Sequence, residues 1–83
     1  MDIKLTKHAA GKIRQRGIKT EDIDCVVNEP LFVEFDRFDN TLKHFVGFVN
    51  DKYLRVIGRN VSEETLLIIS VFYDRRLKSR REQ

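Results

Sequence analysis

The sequence predicts an α+β domain in which two N-terminal helices precede an antiparallel sheet. Before Pro30 the apolar residues recur at helical spacing, whereas after it they alternate with polar residues, as strand residues do. The proline separates the two regions because the residue before a proline is pushed out of the helical conformation. We therefore expect two helices packed across one face of a four-stranded antiparallel sheet, whose other face is partly open.

Capping and breaking residues delimit the two helices. Thr6 is placed to cap a first helix from about Lys7 to Arg16, and Gly17 stops that helix. Thr20 is placed to cap a second helix, which ends at Asn28-Glu29-Pro30. Each helix carries only a short apolar stripe, so packing against the sheet must hold it in place.

Four strands follow, each bounded by polar turn residues. The segments 31–36 and 42–49 alternate apolar and polar residues on either side of a turn at 39–41, and they predict a hairpin. A third strand is expected over 53–59 and a fourth over 65–73. The fourth strand is apolar on both faces, which favours a central position in the sheet.

The length of 83 residues predicts one domain with a single core. We assign the domain to residues 1–74 and expect residues 75–83 to form a basic C-terminal tail. That tail is either a nucleic-acid contact or a solvated end. The margin of stability is expected to be small, and a homodimer or a tight partner would increase it.

The amino-acid composition also limits which cellular compartment and which cofactors we expect for the protein. One cysteine and two histidines argue against a disulfide framework and against a zinc site. The apolar runs are too short to cross a bilayer, and the N-terminus lacks the apolar segment of a signal peptide. We therefore expect a cytoplasmic protein with no metal, no cofactor and no membrane contact.

Charge is distributed in blocks along the chain. Residues 1–19 carry six basic side chains against one acidic side chain, whereas residues 20–40 carry seven acidic side chains against one basic side chain. A polyanion would therefore meet the first helix and avoid the second. In the third strand, alternation places Tyr53, Arg55 and Arg59 on one face, which suits phosphate contacts and base stacking in RNA. The same pattern fits an exposed strand whose charges serve solubility and edge protection.

Few side chains are candidates for proton transfer or nucleophilic attack. His8 lies in the first turn of the first helix and could act as an acid or a base, although a lone histidine is more often structural. His44 shares its strand face with apolar residues, which makes it a candidate core residue. Tyr73 ends the fourth strand, where its phenol either contributes to a site or closes the core. Ser70 has no helix-strand elbow around it, so a serine hydrolase is not supported.

Short motifs over nearly the whole chain resemble a small bacterial family of domains of unknown function. Its members begin with His-Ala, continue through a basic helix and Arg-Gly-Ile, and close the second helix with Asn-x-Pro. The matching segments are Lys7-His8-Ala9, Arg14-Gln15-Arg16-Gly17-Ile18, Thr20-Glu21-Asp22-Ile23, Asn28-Glu29-Pro30, Arg55-Val56-Ile57 and Ile68-Ile69-Ser70-Val71-Phe72-Tyr73. That family is similar to the RelE, ParE and BrnT toxins, which share a compact fold of N-terminal helices on an antiparallel sheet.

The resemblance implies a metal-independent endoribonuclease toxin of a type II toxin-antitoxin pair. In such enzymes a 2′-hydroxyl attacks the adjacent phosphate, which requires a base, an acid and cations. The implied partners are RNA, including ribosome-associated mRNA, and a cognate antitoxin. Proton transfer would fall to His8 or Tyr73. The catalytic candidates are His8, Arg16, Arg55 and Tyr73, and the RNA-binding candidates are Lys7, Lys12, Arg14, Tyr53 and Arg59.

Two positions depart from the family pattern, and two other functions stay open. Ser70 replaces the usual threonine and keeps a hydroxyl, whereas Lys12 stands where arginine is commoner and lacks the bidentate fork. A domain of the same fold could bind RNA or a partner without cleaving it, and a ParE-like surface would inhibit gyrase. Similarity of fold transfers no mechanism by itself.

Overall fold

The computed structural model describes residues 1–77, which contain two helices and five strands. In chain order these are β1 (Asp2–Leu5), α1 (Lys7–Arg16), α2 (Thr20–Asn28), β2 (Phe32–Phe35), β3 (Lys43–Val49), β4 (Lys52–Asn60) and β5 (Thr65–Tyr73). Both predicted helices and all four predicted strands are present close to their expected bounds. Strand β1 is an addition to the expected set.

The sheet is mixed and has five strands, so the expected four-stranded antiparallel sheet is wrong, whereas the α+β class is confirmed. The strand order is β1-β5-β4-β3-β2; β1 pairs in parallel with β5, and all other neighbours are antiparallel. β1 is difficult to predict from the sequence because it has only four residues and lies at the sheet edge. Its pairing partner, β5, is also distant in the sequence. β5 lies between β1 and β4, so its expected central position is confirmed.

Local hydrogen bonds and backbone angles explain where the helices begin and end. The hydroxyl of Thr6 accepts a hydrogen bond from the N–H of Ala9 at 3.1 Å, so the predicted N-cap is confirmed. Gly17 ends α1 with a φ of 66°, a left-handed conformation that glycine adopts without strain. The predicted capping role of Thr20 is wrong. Lys19 occupies the N-cap position without a side-chain cap, and Thr20 is the first helical residue.

Both helices pack on the same face of the sheet, with α1 over β5 and α2 over β3 and β4. The core between the two layers is apolar and includes Ile13 of α1, Ile23 of α2, and Leu54 and Val56 of β4. Because Leu54 and Val56 face the helices, strand alternation turns Arg55 to the opposite face. The expected open face of the sheet therefore carries Arg55.

Gly58 marks a close approach between β4 and β5. The pairing register shifts between Ile57 and Gly58, and a Cβ atom at position 58 would lie 2.6 Å from the carbonyl oxygen of Leu67. That oxygen belongs to the backbone of β5, which has a hydrogen-bonded neighbour on each side, so it has little freedom to move. We expect Gly58→Ala to lower the free energy of unfolding by about 2 kcal/mol, a typical cost of overpacking, as measured by urea denaturation.

Gly11→Ala is the matched control for this substitution. Gly11 lies within α1, and apart from its chain neighbours and the backbone of the helix itself no atom lies within 4 Å of the Cβ position there. Because alanine favours a helix interior over glycine by about 1 kcal/mol, Gly11→Ala is expected to stabilise the protein. A Gly58→Ala variant as stable as the wild type would contradict the close approach of the two strands.

Candidate functional site

The face of the sheet without helices carries an open cleft of about 510 Å³. Strands β2, β3 and β4 contribute to its walls, and so does the segment that follows β5. The charged and aromatic side chains that matter most for its chemistry are Glu34, Asp36, Phe38, His44, Arg55 and Asp74. The cleft therefore gathers titratable groups that are far apart in the sequence.

Strand pairing brings these groups to one side of the sheet. Glu34 of β2 lies opposite His44 of β3, and Arg55 of β4 lies opposite Phe72 of β5. Directly opposite residues of antiparallel strands project to the same side, and the cleft is lined by all four. The interpretation of His44 as a core residue is therefore wrong, because its face is turned away from the helices.

Arg55 lies at the centre of the cleft and is only 7% exposed. Its Nε donates to Oδ2 of Asp74 at 2.9 Å, and its Nη1 donates to Oε1 of Glu34 at 3.0 Å and to Nδ1 of His44 at 2.8 Å. The expectation of an exposed Arg55 is therefore wrong, because these partners enclose its side chain. Its Nη2 bonds to no group within residues 1–77. No fully buried side-chain nitrogen within residues 1–77 lacks a hydrogen-bond partner.

The hydrogen bonds of His44 define its protonation state. A guanidinium group only donates hydrogen bonds, so Nδ1 of His44 accepts from Arg55 and carries no proton. The ring proton is therefore on Nε2, which donates to Oδ1 of Asp36 at 2.7 Å. His44 is thus a neutral imidazole held between a carboxylate and a guanidinium group.

Both aspartates of the cleft are held in the ionised form. The hydrogen bond from His44, assisted by backbone N–H groups, lowers the pKa of Asp36 below its ordinary value. Burial raises the pKa of Asp74, but hydrogen bonds from Arg76 and Arg55 outweigh this effect and leave the pKa below its ordinary value. Asp74 therefore neutralises Arg55, and Asp36 orients His44.

The four residues that the resemblance implies for catalysis do not all meet in this cleft. Arg55 lines it, whereas Tyr73 packs against the core on the helix side of the sheet. His8 and Arg16 lie at opposite ends of α1, about 12 Å apart along the helix axis. Nη1 of Arg16 donates to the backbone carbonyl of Val71 at 2.6 Å. The cations of α1 and β4 are therefore on opposite sides of the sheet.

The predicted RNA-binding residues are likewise divided between the two sides of the sheet. Lys7, Lys12 and Arg14 belong to α1, so they lie in the layer away from the cleft. Tyr53 and Arg59 belong to β4 and project to the open face. Only these last two candidates share a face with the cleft.

The sequence does not indicate that three acidic side chains line the cleft. Glu34 and Asp36 come from one segment and Asp74 from a distant one, and acidic residues in such positions ordinarily point into solvent. Alternation assigns Glu34 and His44 each to a strand face, but only the register of β2 and β3 places them opposite each other. No local pattern links Asp74 to Arg55.

Comparison with known proteins gives no match to any family model, to any curated protein or to any solved structure. The resemblance to the RelE, ParE and BrnT toxins therefore stays a prediction.

Within residues 1–77, no helix is long and apolar enough to cross a membrane, and no cluster of metal-ligating side chains occurs. Of the predicted basic tail, Arg75 and Arg76 are exposed and Leu77 is buried, while residues 78–83 lie outside the described range.

The pairing of Asp74 with Arg55 predicts a pH-dependent stability. Asp74→Asn leaves a buried guanidinium without its carboxylate, so we expect a loss of about 3 kcal/mol at neutral pH. The stabilisation by the ionised carboxyl is present above the unfolded-state pKa of Asp74 and is lost as the pH falls through its lower folded-state pKa. Urea denaturation should therefore show the difference between wild type and variant shrinking below about pH 4.

Asp51→Asn is the matched control for the charge that is removed. Asp51 is exposed in the turn between β3 and β4 and has a φ of 62°, which asparagine also tolerates. Its replacement is expected to leave the stability unchanged at every pH. An Asp74→Asn variant that differs from the wild type by the same amount in neutral and acidic solution would contradict the ion pair.

Proposed function

We propose that the protein is a metal-independent endoribonuclease whose active site is the open cleft. The observation that supports this function is one hydrogen-bonded group that contains the carboxylate of Glu34, the guanidinium of Arg55 and the imidazole of His44. Cleavage of RNA by its own 2′-hydroxyl needs a base, an acid and a fixed cation beside the phosphate. The cleft supplies one group of each kind.

Each of the three side chains suits one role. Glu34 is 54% exposed, so its carboxylate is accessible to a 2′-hydroxyl and serves as the general base. Arg55 is held by Asp74 and lines the cleft, where its guanidinium group binds the phosphate and stabilises the charge that develops on it. His44 serves as the general acid, because Asp36 orients the ring and stabilises its imidazolium form.

The reaction balances with these groups and with protons exchanged with solvent, to which Glu34 releases its proton after the reaction. As the 2′-oxygen bonds to phosphorus, its proton passes to Glu34. As the bond from phosphorus to the 5′-oxygen breaks, His44 donates a proton to that oxygen, which leaves a 2′,3′-cyclic phosphate and a 5′-hydroxyl end. In the resting structure Nδ1 of His44 accepts from Arg55. A bound phosphate draws this donor away, and Nδ1 then takes up a proton from solvent.

Exposed groups around the cleft suit a single RNA strand. Phe38 is 94% exposed and offers an aromatic face on which a base stacks. Arg37 and Arg76 line the same cleft, are exposed, and offer guanidinium groups to neighbouring phosphates. If the protein acts as a toxin, a cognate antitoxin would silence it by covering this cleft.

One observation favours a second function, an RNA-binding module without cleavage. Both ring nitrogens of His44 are bonded within the protein, to Asp36 and to Arg55. A network that is satisfied in this way also serves to hold Arg55 in place for phosphate binding alone. The two functions differ in what they predict for variants of the proposed acid and base.

We expect Glu34→Gln and His44→Asn each to slow cleavage of a fluorescent single-stranded RNA by about 100-fold or more, the usual contribution of a general base or acid. Glu34→Gln preserves shape and removes a negative charge beside the bound phosphate, so RNA affinity measured by fluorescence anisotropy should not fall. Phe38→Ala removes a stacking surface and should weaken binding about tenfold. End analysis of the products should show 2′,3′-cyclic phosphates.

Glu63→Gln is the matched control for the loss of a carboxylate, because Glu63 is exposed in the connection between β4 and β5. It is expected to cleave at the wild-type rate. His8→Ala tests whether cleavage depends on the histidine that the resemblance implies, which lies outside the cleft. Loss of cleavage in His8→Ala together with full activity in Glu34→Gln would exclude the cleft as the active site. A wild type that binds RNA without cleaving it would establish the binding module instead.

A further inference from the structure

The outer edge of β2 carries a row of exposed apolar side chains. Val33 and Phe35 of this strand are 46% and 65% exposed, and Leu31, which directly precedes the strand, is 62% exposed. Val33 lies on the helix side of the sheet, because it is opposite the core residue Phe45, and alternation places Phe35 on the same side. An edge strand with an apolar row promotes aggregation of a monomer unless another chain covers it.

The two helices leave this row uncovered. α1 lies over β5, α2 lies over β3 and β4, and α2 ends at Asn28 before the chain turns into β2. Among residues 1–77, β2 is also the last strand on its side of the sheet. The row and the strand edge are therefore open together, which suits a partner that pairs with the strand and packs against the row.

The pairing of β2 with β3 shows which peptide groups are directed outward. The N–H of Asp36 donates to the carbonyl of Leu42 in the register of these strands, and alternate residues of an antiparallel strand bond to the same neighbour. Glu34 therefore faces β3, whereas Val33 and Phe35 direct their N–H and C=O groups away from the sheet. Val33 and Phe35 lie one residue before and one residue after Glu34. If the β2 strand of a second copy runs antiparallel to this edge with the two Glu34 residues opposite each other, the outward N–H and C=O groups of the two strands can therefore pair.

We propose that the protein forms a two-fold symmetric homodimer through antiparallel pairing of its β2 edges. Val33 lies opposite the partner's Phe35, and Phe35 lies opposite the partner's Val33, with backbone hydrogen bonds at both positions. The two apolar rows then lie on one side of a continuous sheet and cover each other. Glu34 approaches its counterpart at the axis, and its ion pair with Arg55 of its own chain, at 3.0 Å, lessens the repulsion between the two carboxylates.

A second copy fits this edge better than a flexible peptide does. The β2 strand of a second copy is already ordered within a sheet, so pairing costs little conformational entropy, whereas a disordered segment loses that entropy on binding. The second copy also supplies an identical apolar row, which doubles the apolar surface removed from water. Because a single short strand makes a small interface, we expect a reversible dimer whose fraction rises with protein concentration.

Sedimentation velocity of the full chain over a range of concentrations tests the dimer. We expect Val33→Lys to raise the dissociation constant about tenfold or more, because lysine places a charge in the apolar row and protects a strand edge. Val61→Lys is the matched control, since Val61 is comparably exposed but lies in the connection between β4 and β5. It should dimerise like the wild type. Circular dichroism shows whether each variant keeps its fold.

Disulfide trapping tests the register independently. In a Cys25→Ser background, which removes the one native thiol, chains with Val33→Cys are mixed with chains with Phe35→Cys under mild oxidation. We expect a disulfide between the two kinds of chain, because the proposed register places these positions opposite each other. A wild type that stays monomeric, a dimer that Val33→Lys leaves intact, or preferential linkage between two Val33→Cys chains would overturn the proposal.

Discussion

Arg55 places a positive charge within the open face of the sheet, and the cleft is arranged around that charge. A buried guanidinium group is unstable unless carboxylates accept its hydrogen bonds and neutralise it. Asp74 and Glu34 do so from two different parts of the chain. Strand β2, strand β4 and the segment after β5 must therefore come together before the charge is satisfied. The cleft is therefore complete only where these three segments meet.

The same charge determines the chemical character of the neighbouring groups. Because the guanidinium of Arg55 donates to Nδ1, His44 is neutral and presents its Nε2–H to Asp36. In the proposed reaction an anion in the cleft competes for that guanidinium, and so for the hydrogen bond that Arg55 donates to Nδ1 of His44. In the proposed mechanism, this competition makes a network that is hydrogen-bonded at rest available for acid-base chemistry once an anion is bound.

Much of the local structure could be predicted because it depends on a few consecutive residues. Thr6 and Gly17 act on the backbone within one turn of α1, and both fulfil their predicted roles. Thr20 shows the limit of this approach, since a threonine before acidic residues has the composition of a cap, yet Lys19 takes that position. Strand β1 was not predictable, because four residues carry too little periodicity and its partner β5 is at the other end of the chain.

By itself, the sequence determined the two helices, the later strands and the face of β4 on which Arg55 lies, because caps, breakers and alternation act over short distances. Only the tertiary structure decided that Arg55 is buried, that Tyr73 faces the helices, and that His8 lies outside the cleft. Strand register and layer order depend on pairings between distant segments. The burial of a charge depends on all of its neighbours at once, and no single segment of the sequence contains them.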